Sequence, residues 1–209
     1  MNLVIIGTGG LAREVHDLAK KCFHENSEFK VKGFIANDPI QVNPQNYPPF
    51  LGTIEDYVIS ENDVFFCAIG NVNIRKKCVY EITEKGGEFI NLISPGTIIS
   101  DNVELGVGVA VKFNCVINND VKIGDHTFIQ SASLFGHDVR IGSYCHINGM
   151  SFFAGNCMVE DLVTVNAGAR LVQGIQVGKG ATIGIGSVVL RNVKPGETVF
   201  GNPAKTIVT

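Results

Sequence analysis

Two histidines stand in the run FGHDVRIGSYCHINGM, residues 135–150, and the first of them, His137, is followed at once by Asp138. An imidazole whose tautomer is held by a carboxylate is what a general base requires, so this pair could take a proton from an attacking amine or alcohol. It could equally be a polar corner of a structural repeat, because the residues around it are mostly aliphatic or glycine. His146 is near enough in sequence to line the same groove. A second candidate is the run Gly7-Thr8-Gly9-Gly10-Leu11-Ala12. A glycine turn that opens a helix after a strand leaves backbone N–H groups and the helix dipole facing a phosphate. After the next strand, Asn37 or Asp38 could hydrogen-bond a ribose or a base. A tight turn with no ligand is the plainer alternative.

The elements that position the first candidate come from a repeat. Every sixth residue from Ile93 to Val189 is Ile, Leu, Val or Phe, without interruption. Four residues after each of these the side chain is mostly small or β-branched, as at Cys115, Val121, Thr127, Ser133 and Val139. One residue after, Gly and Asn are frequent and read as the corner. Hexads of this kind give one short strand and one corner each, and three sides close a coil of a β-solenoid. Residues 18 apart then stack, which sets Gly155 over His137 and Gln173 over Gly155. The unbroken series predicts between five and six coils.

Before residue 90 the pattern changes. NLVIIG, FKVKGFI and DVFFCAIG read as buried strands; GLAREVHDLAKKC and NIRKKCVYEITEKG read as helices. Alternation of this kind predicts a small parallel α/β domain, a Rossmann-like half, over residues 1–90, with the solenoid over 91–209. The run DPIQVNPQNYPPFLG, with four prolines, is expected to lie outside the sheet.

Composition narrows the chemistry. A formal net charge of −3 over 209 residues gives no basic face for nucleic acid. No window of 18 apolar residues and no basic leader are present, so a cytoplasmic protein without a membrane segment is expected. Six cysteines occur without a CxxC pair, which argues against a metal site or redox dithiol. Cys115, Cys145 and Cys157 fall at the small inward position, out of a substrate's reach, so direct attack on an acyl donor is favoured over a covalent acyl-enzyme. The outward positions Phe113, Phe128, Leu134 and Phe152 are apolar and point to an interface between copies.

Taken together, IIGTGGLAREV, GFIAND, FLGTIEDY, CAIGNVNIRKK, GHDVRIG and VKPGETVFGNPAKTIV resemble the bacterial nucleotide-sugar acetyltransferases, of the bacillosamine-pathway N-acetyltransferase and sialic acid O-acetyltransferase type. The resemblance runs over essentially the whole chain. It implies a left-handed parallel β-helix of hexapeptide repeats, a homotrimer, and acetyl-CoA as co-substrate in grooves between prisms. It also implies that His137 is the general base and Asp138 its carboxylate, that His146 contacts the thioester, and that the Gly155 amide holds the thioester carbonyl. Gly7, Gly9 and Gly10 would contact the phosphates, and Asn37 or Asp38 would read the base. The implied activity is acetylation of the amino group of a UDP- or dTDP-linked amino-deoxysugar. O-acetylation of a sugar or sialic acid, or a non-catalytic nucleotide-binding trimer, stand as the alternatives. Three positions depart from the family pattern: Leu11 replaces a common histidine, Ala36-Asn37-Asp38 replaces an acidic pair, and Asp138 replaces a glutamate found in some members.

Overall fold

The computed structural model describes residues 1–25, 28–39 and 45–207. The chain divides into two compact units, Met1–Leu92 and Ile93–Thr209. The first is a parallel sheet of five strands: β1 (Asn2–Ile6), β2 (Lys30–Ile35), β3 (Phe50–Gly52), β4 (Asp63–Cys67) and β5 (Glu88–Phe89). Their order is β3-β2-β1-β4-β5, so the chain leaves β1 toward one edge and later returns to its other side. The central strands bury Leu3, Ile5, Ile6, Phe34, Ile35 and Phe65 fully, and β2, which opens on Lys30 and Lys32, is buried only over its second half, Gly33–Ile35.

Helix α1 (Gly10–Cys22) buries Ala12, Val15, Leu18 and Ala19 and ends on Lys20 and Lys21, which suit the negative end of its dipole. Helix α2 (Val72–Glu84) starts on Asn71, whose side chain accepts from the N–H groups of Asn73 and Ile74. The proline-rich run does not lie wholly outside the sheet: its last residues form β3, paired with β2 through Phe34–Phe50 and Ile35–Gly52. Pro48 and Pro49 precede that strand, where a missing N–H is tolerated at an edge. Residues 40–44 of the run are outside the described residues.

The second unit is a β-solenoid of three columns of two-residue strands that pair in parallel with those 18 residues away, ended by the antiparallel strands Thr198–Gly201 and Ala204–Ile207. One column contains Ala110–Val111, Phe128–Ile129 and His146–Ile147; the next contains Val116–Ile117, Leu134–Phe135 and Phe152–Phe153; the third contains Lys122–Ile123, Arg140–Ile141 and Met158–Val159. The second residue of each strand faces the core, which is filled by Val111, Ile117, Ile129, Phe135, Ile147, Phe153 and their successors. Phe135 and Phe153 stack at 4.8 Å with rings 6° from parallel.

The small inward residues are more than filler. Cys115 Sγ donates to Gln130 O, Thr127 Oγ1 to Gly142 O, Cys145 Sγ to Glu160 O, Ser151 Oγ to Asn166 O and Cys157 Sγ to Val172 O. Each of these bonds spans 15 residues and satisfies a carbonyl across the corner in the next coil.

Two expectations about the repeat need correction. The left-handed corner lies three residues after the inward apolar position, at Asn114, Asp120, Ala132, Asp138, Tyr144, Met150, Asn156 and Leu162 among others, with φ near +60°. Residues as ill-suited as Leu162 and Tyr144 hold this conformation because their N–H groups donate to Ser143 O at 3.0 Å and Asp125 O at 2.7 Å in the preceding coil. Glycine recurs one residue after the inward position for a different reason: the next coil passes too close for a side chain. A Cβ at Gly136 would stand 2.7 Å from Gly155 N, and one at Gly142 would stand 2.6 Å from Asp161 N. The second correction concerns the outward aromatics. Phe152 is 40% exposed, whereas Phe128 is 1% exposed, its ring stacked on His146 at 5.5 Å; Phe113 and Leu134 are half-buried.

At the end of the sheet where β1 and β4 begin, Asp63 accepts from Lys32 Nζ at 2.8 Å, Tyr57 Oη at 2.7 Å and Ser60 N at 3.0 Å. Burial opposes its charge, but the bonds from Lys32, Tyr57 and Ser60 outweigh burial and hold the carboxyl below its usual range. A depressed carboxyl stabilises the fold above its unfolded-state value and loses that contribution as pH falls through the folded one. Asp63→Ala is expected to cost about 1–3 kcal/mol in urea denaturation near neutral pH, since it strands the Tyr57 hydroxyl and Lys32 ammonium. That cost should shrink as pH is lowered through the carboxyl range; an equal cost at all pH values would contradict the assignment.

Candidate active site

The solenoid corner between the Leu134–Phe135 column and the Arg140–Ile141 column carries the histidine–aspartate pair. Asp138 occupies the left-handed position with φ 59°, its N–H donating to Asn119 O at 3.0 Å. That backbone turn swings its carboxylate beside the neighbouring ring, and His137 Nδ1 lies 2.7 Å from Asp138 Oδ2. The carboxylate accepts only, so Nδ1 carries the proton and Nε2 presents a lone pair. Both side chains are more than half exposed, at 59% and 53%.

One coil further on, Gly155 sits against the imidazole, where a Cβ would be 2.6 Å from Nε2 and 2.7 Å from Cε1. Its backbone angles are open to any residue, so the ring is what a side chain here would meet. Asn156 N donates to His137 O at 2.9 Å and Gly174 N to Gly155 O at 3.0 Å, which locks the three coils in register. The exposed Gln173 stands one coil beyond Gly155.

The neighbouring corner is built differently. There, at the equivalent position of successive coils, a side chain caps each N–H: Asp125 accepts from Val107 N, Ser143 from Asp125 N and Asp161 from Ser143 N, at 2.9, 3.1 and 2.9 Å. Among the described residues nothing accepts from Gly155 N. The corner thus combines a basic nitrogen with an unclaimed amide donor one coil away, the two parts that acyl transfer needs for the proton and the oxyanion.

His146 is not at this corner. It belongs to the column of Phe128 and Thr164, is 7% exposed, and stacks on Phe128 with rings 7° from parallel. The sequence expectation of one groove shared by His137 and His146 therefore does not hold within a single chain: His137 stands at the corner between two columns, and His146 is on a strand of the third. The inward thiols are unavailable as nucleophiles. Cys115 and Cys157 are fully buried, and burial raises both thiols. No group of three or more His, Cys, Asp or Glu side chains gathers into a metal site among the described residues, and no described helix is long and apolar enough to cross a membrane.

The glycine turn forms the second site, entirely within the first unit. A cavity of about 530 Å³ is lined by Gly7, Gly9, Gly10, Asn37, Asp38 and Ile69, among others. It lies at the carboxyl ends of β1, β2 and β4, where the strand order reverses and open α/β sheets bind ligands. Gly7 has φ 113° and needs glycine for that conformation. Gly9 caps α1 with no side-chain bond, in contrast to Asn71 at α2, and no acidic residue occupies the first turn. A Cβ on Gly9 would meet nothing within 4 Å. This is an open, uncapped helix terminus, suited to an anion.

The two residues after β2 differ. Asn37 Oδ1 accepts from Ile54 N at 3.0 Å, whereas the exposed Asp38 carboxylate makes no hydrogen bond among the described residues. Arg13, which sequence reasoning passed over, brings its Nη2 to 3.8 Å from a Cβ position on Gly10. The signal for it was a cation three residues into the helix that the glycines open.

Two family descriptions match the chain: PglD N-terminal domain over residues 2–82 and GMPPB C-terminal domain over residues 68–173. A histidine-to-asparagine mutant of perosamine N-acetyltransferase from Caulobacter crescentus, solved in complex with CoA and GDP-perosamine, is 29% identical with a TM-score of 0.89, covering 100% of this chain and 98% of that one. The acetyltransferase domain of PglB from Neisseria gonorrhoeae FA1090, in complex with acetyl coenzyme A, is 27% identical with a TM-score of 0.89, covering 99% and 98%. Serine acetyltransferase of Buchnera aphidicola subsp. Schizaphis graminum is 51% identical over 45 residues, which span 22% of this chain and only 17% of that enzyme.

If the ring at residue 137 rests on Gly155 as described, Gly155→Ala must displace it. The expected outcome is a shift of the His137 ring resonances by NMR with circular dichroism unchanged. Unaltered ring resonances would contradict the packing.

Proposed function

The chain belongs to the nucleotide-sugar acetyltransferases that pair a PglD-type N-terminal domain with a hexapeptide-repeat solenoid, and from that membership we propose that it transfers acetyl from acetyl-CoA to the amino group of a nucleotide-linked amino-deoxysugar. The observation that carries the reading is the corner at residue 137, where an aspartate-oriented imidazole adjoins an amide that nothing among the described residues claims.

In this mechanism Nε2 of His137 takes a proton from the sugar amine as its nitrogen forms a bond to the thioester carbonyl carbon. The Gly155 N–H donates to the oxyanion, an interaction worth about 2.7–4 kcal/mol in other acyl-transfer sites. Collapse of the tetrahedral intermediate breaks the C–S bond, and the CoA thiolate leaves with the proton that His137 had taken. Asp138 holds the ring's tautomer and offsets its charge while it is protonated. Gly7, Gly9 and Gly10 with the α1 terminus hold the diphosphate, supported by Arg13, and the free Asp38 carboxylate accepts from the ribose hydroxyls.

An amine is preferred over an alcohol as acceptor on coverage. The likeness to the perosamine enzyme, named as an N-acetyltransferase, extends over the whole chain, while the likeness to serine acetyltransferase is confined to 45 residues. The exposed apolar side chains of Met150, Phe152, Met158 and Leu190 support assembly through the solenoid, and we assign a homotrimer. His146, buried within its own chain, meets the thioester in this scheme only if assembly brings its column toward the groove.

With acetyl-CoA and an amino sugar nucleotide, His137→Ala is expected to lower kcat by about 10²–10⁴ with KM little changed. A loss below about tenfold would remove His137 as the base. Release of CoA with hydroxyl-only sugars, and none with amino sugars, would overturn the choice of acceptor.

A further inference from the structure

Beside the glycine-turn cavity is a second one of about 520 Å³, lined by Asn37, Ile54, Lys77, Tyr80, Glu81 and Glu84, among others. Asn37, Ile54 and Lys77 line both, so a ligand anchored at the turn reaches the second cavity across Asn37. The orientation of the Asn37 amide is fixed from one side: the Ile54 N–H donates to Oδ1 at 3.0 Å, which leaves Nδ2 as the group facing Glu81 Oε2, 3.4 Å away. A second N–H of Nδ2 remains to be given. Lys85, on the wall of this cavity, spends its ammonium on the carbonyls of Ile54, Glu55 and Tyr57 and so anchors the turn that carries Ile54. Lys77 Nζ is 3.9 Å from Glu81 Oε1, beyond hydrogen-bonding reach.

The cavity therefore presents one amide donor beside a carboxylate with two acceptor oxygens, with Tyr80 supplying an aromatic surface. Resting on the reading of the first unit as a nucleotide site, we propose that this second cavity holds the base and selects guanine through Asn37 and Glu81. The guanine edge carries the carbonyl oxygen O6 next to two donors, N1–H and the N2 amino group. Asn37 Nδ2 donates to O6, and the Glu81 carboxylate accepts from N1–H and N2–H as a bidentate pair. Uracil and thymine offer a single N3–H flanked by two carbonyl oxygens, which sets a second Glu81 oxygen against an acceptor. Adenine and cytosine offer one donor group in place of two. Asp38, which lines only the first cavity, is left to the ribose. This assignment displaces the uridine or thymidine carrier that the sequence resemblance implied.

The test is calorimetric titration of the full chain with GDP, UDP and dTDP. GDP is expected to bind at least about tenfold more tightly than either pyrimidine nucleotide, the size of one good bidentate contact. Glu81→Gln, which keeps shape but replaces an acceptor by a donor, should remove at least about tenfold from GDP affinity and leave UDP affinity undiminished or raised, since the new donor meets a uracil carbonyl. Asn37→Asp keeps an acceptor for the Ile54 N–H and loses the donor to O6, so it should weaken GDP independently. Equal affinity for the three nucleotides, or equal weakening of all three by the variants, would overturn the guanine assignment while leaving the nucleotide site standing. Failure of all three to bind the wild-type chain would overturn the nucleotide reading itself, and this inference with it.

Discussion

Parallel pairing at an interval of 18 residues is the interaction on which the site depends. Each corner N–H reaches back to a carbonyl of the previous coil, as Asp138 N does to Asn119 O and Asn156 N to His137 O. Each inward side chain lies on its counterpart, as Phe153 lies on Phe135. A slip of one residue would turn Phe135 outward and carry a polar neighbour into the core, so apolar burial fixes the register strongly. The same register that fills the core is what places Gly155 against the His137 ring.

Against that regular background the corners differ in whether a side chain caps the N–H two residues after the inward position. The corner of Val107, Asp125 and Ser143 closes itself, each N–H taken by the side chain above. At the corner of His137 and Gly155 a glycine removes the obstruction over the ring, and its N–H has no acceptor among the described residues. The first unit repeats the logic at its two helices: Asn71 caps α2 with its own side chain, whereas Gly9 leaves the terminus of α1 open above a cavity. In both units the candidate site includes backbone donors that no described residue satisfies.

Much of this was legible in the sequence because periodicity and stacking are properties of spacing. The hexad series located the solenoid and set residue 155 over residue 137, and the glycine turn located the end of β1. Spacing says less about side-chain geometry. Glycine one residue after the inward position was read as a corner, although the left-handed residue is two places further on, because both demands select glycine for different reasons. The burial of Phe128 and His146 was missed because an outward position in a strand pattern says nothing about what stacks along the column. Strand β3 was hidden by the prolines before it, and β5, two residues long, is too short to show a period. Asn37 and Asp38 were indistinguishable in sequence, and the structure separates them by one backbone contact, that of Ile54 N with the Asn37 amide.

The central claim is that the backbone amide of Gly155 is the group that holds the reacting carbonyl, within reach of the base at residue 137. A crystal structure of the assembled protein with acetyl-CoA tests it most directly. The account predicts a thioester oxygen about 3 Å from Gly155 N, with the acyl carbon open to an amine on the Nε2 side of the ring. A thioester seated with its oxygen on any other donor, or an acetyl group remote from the imidazole, would contradict it.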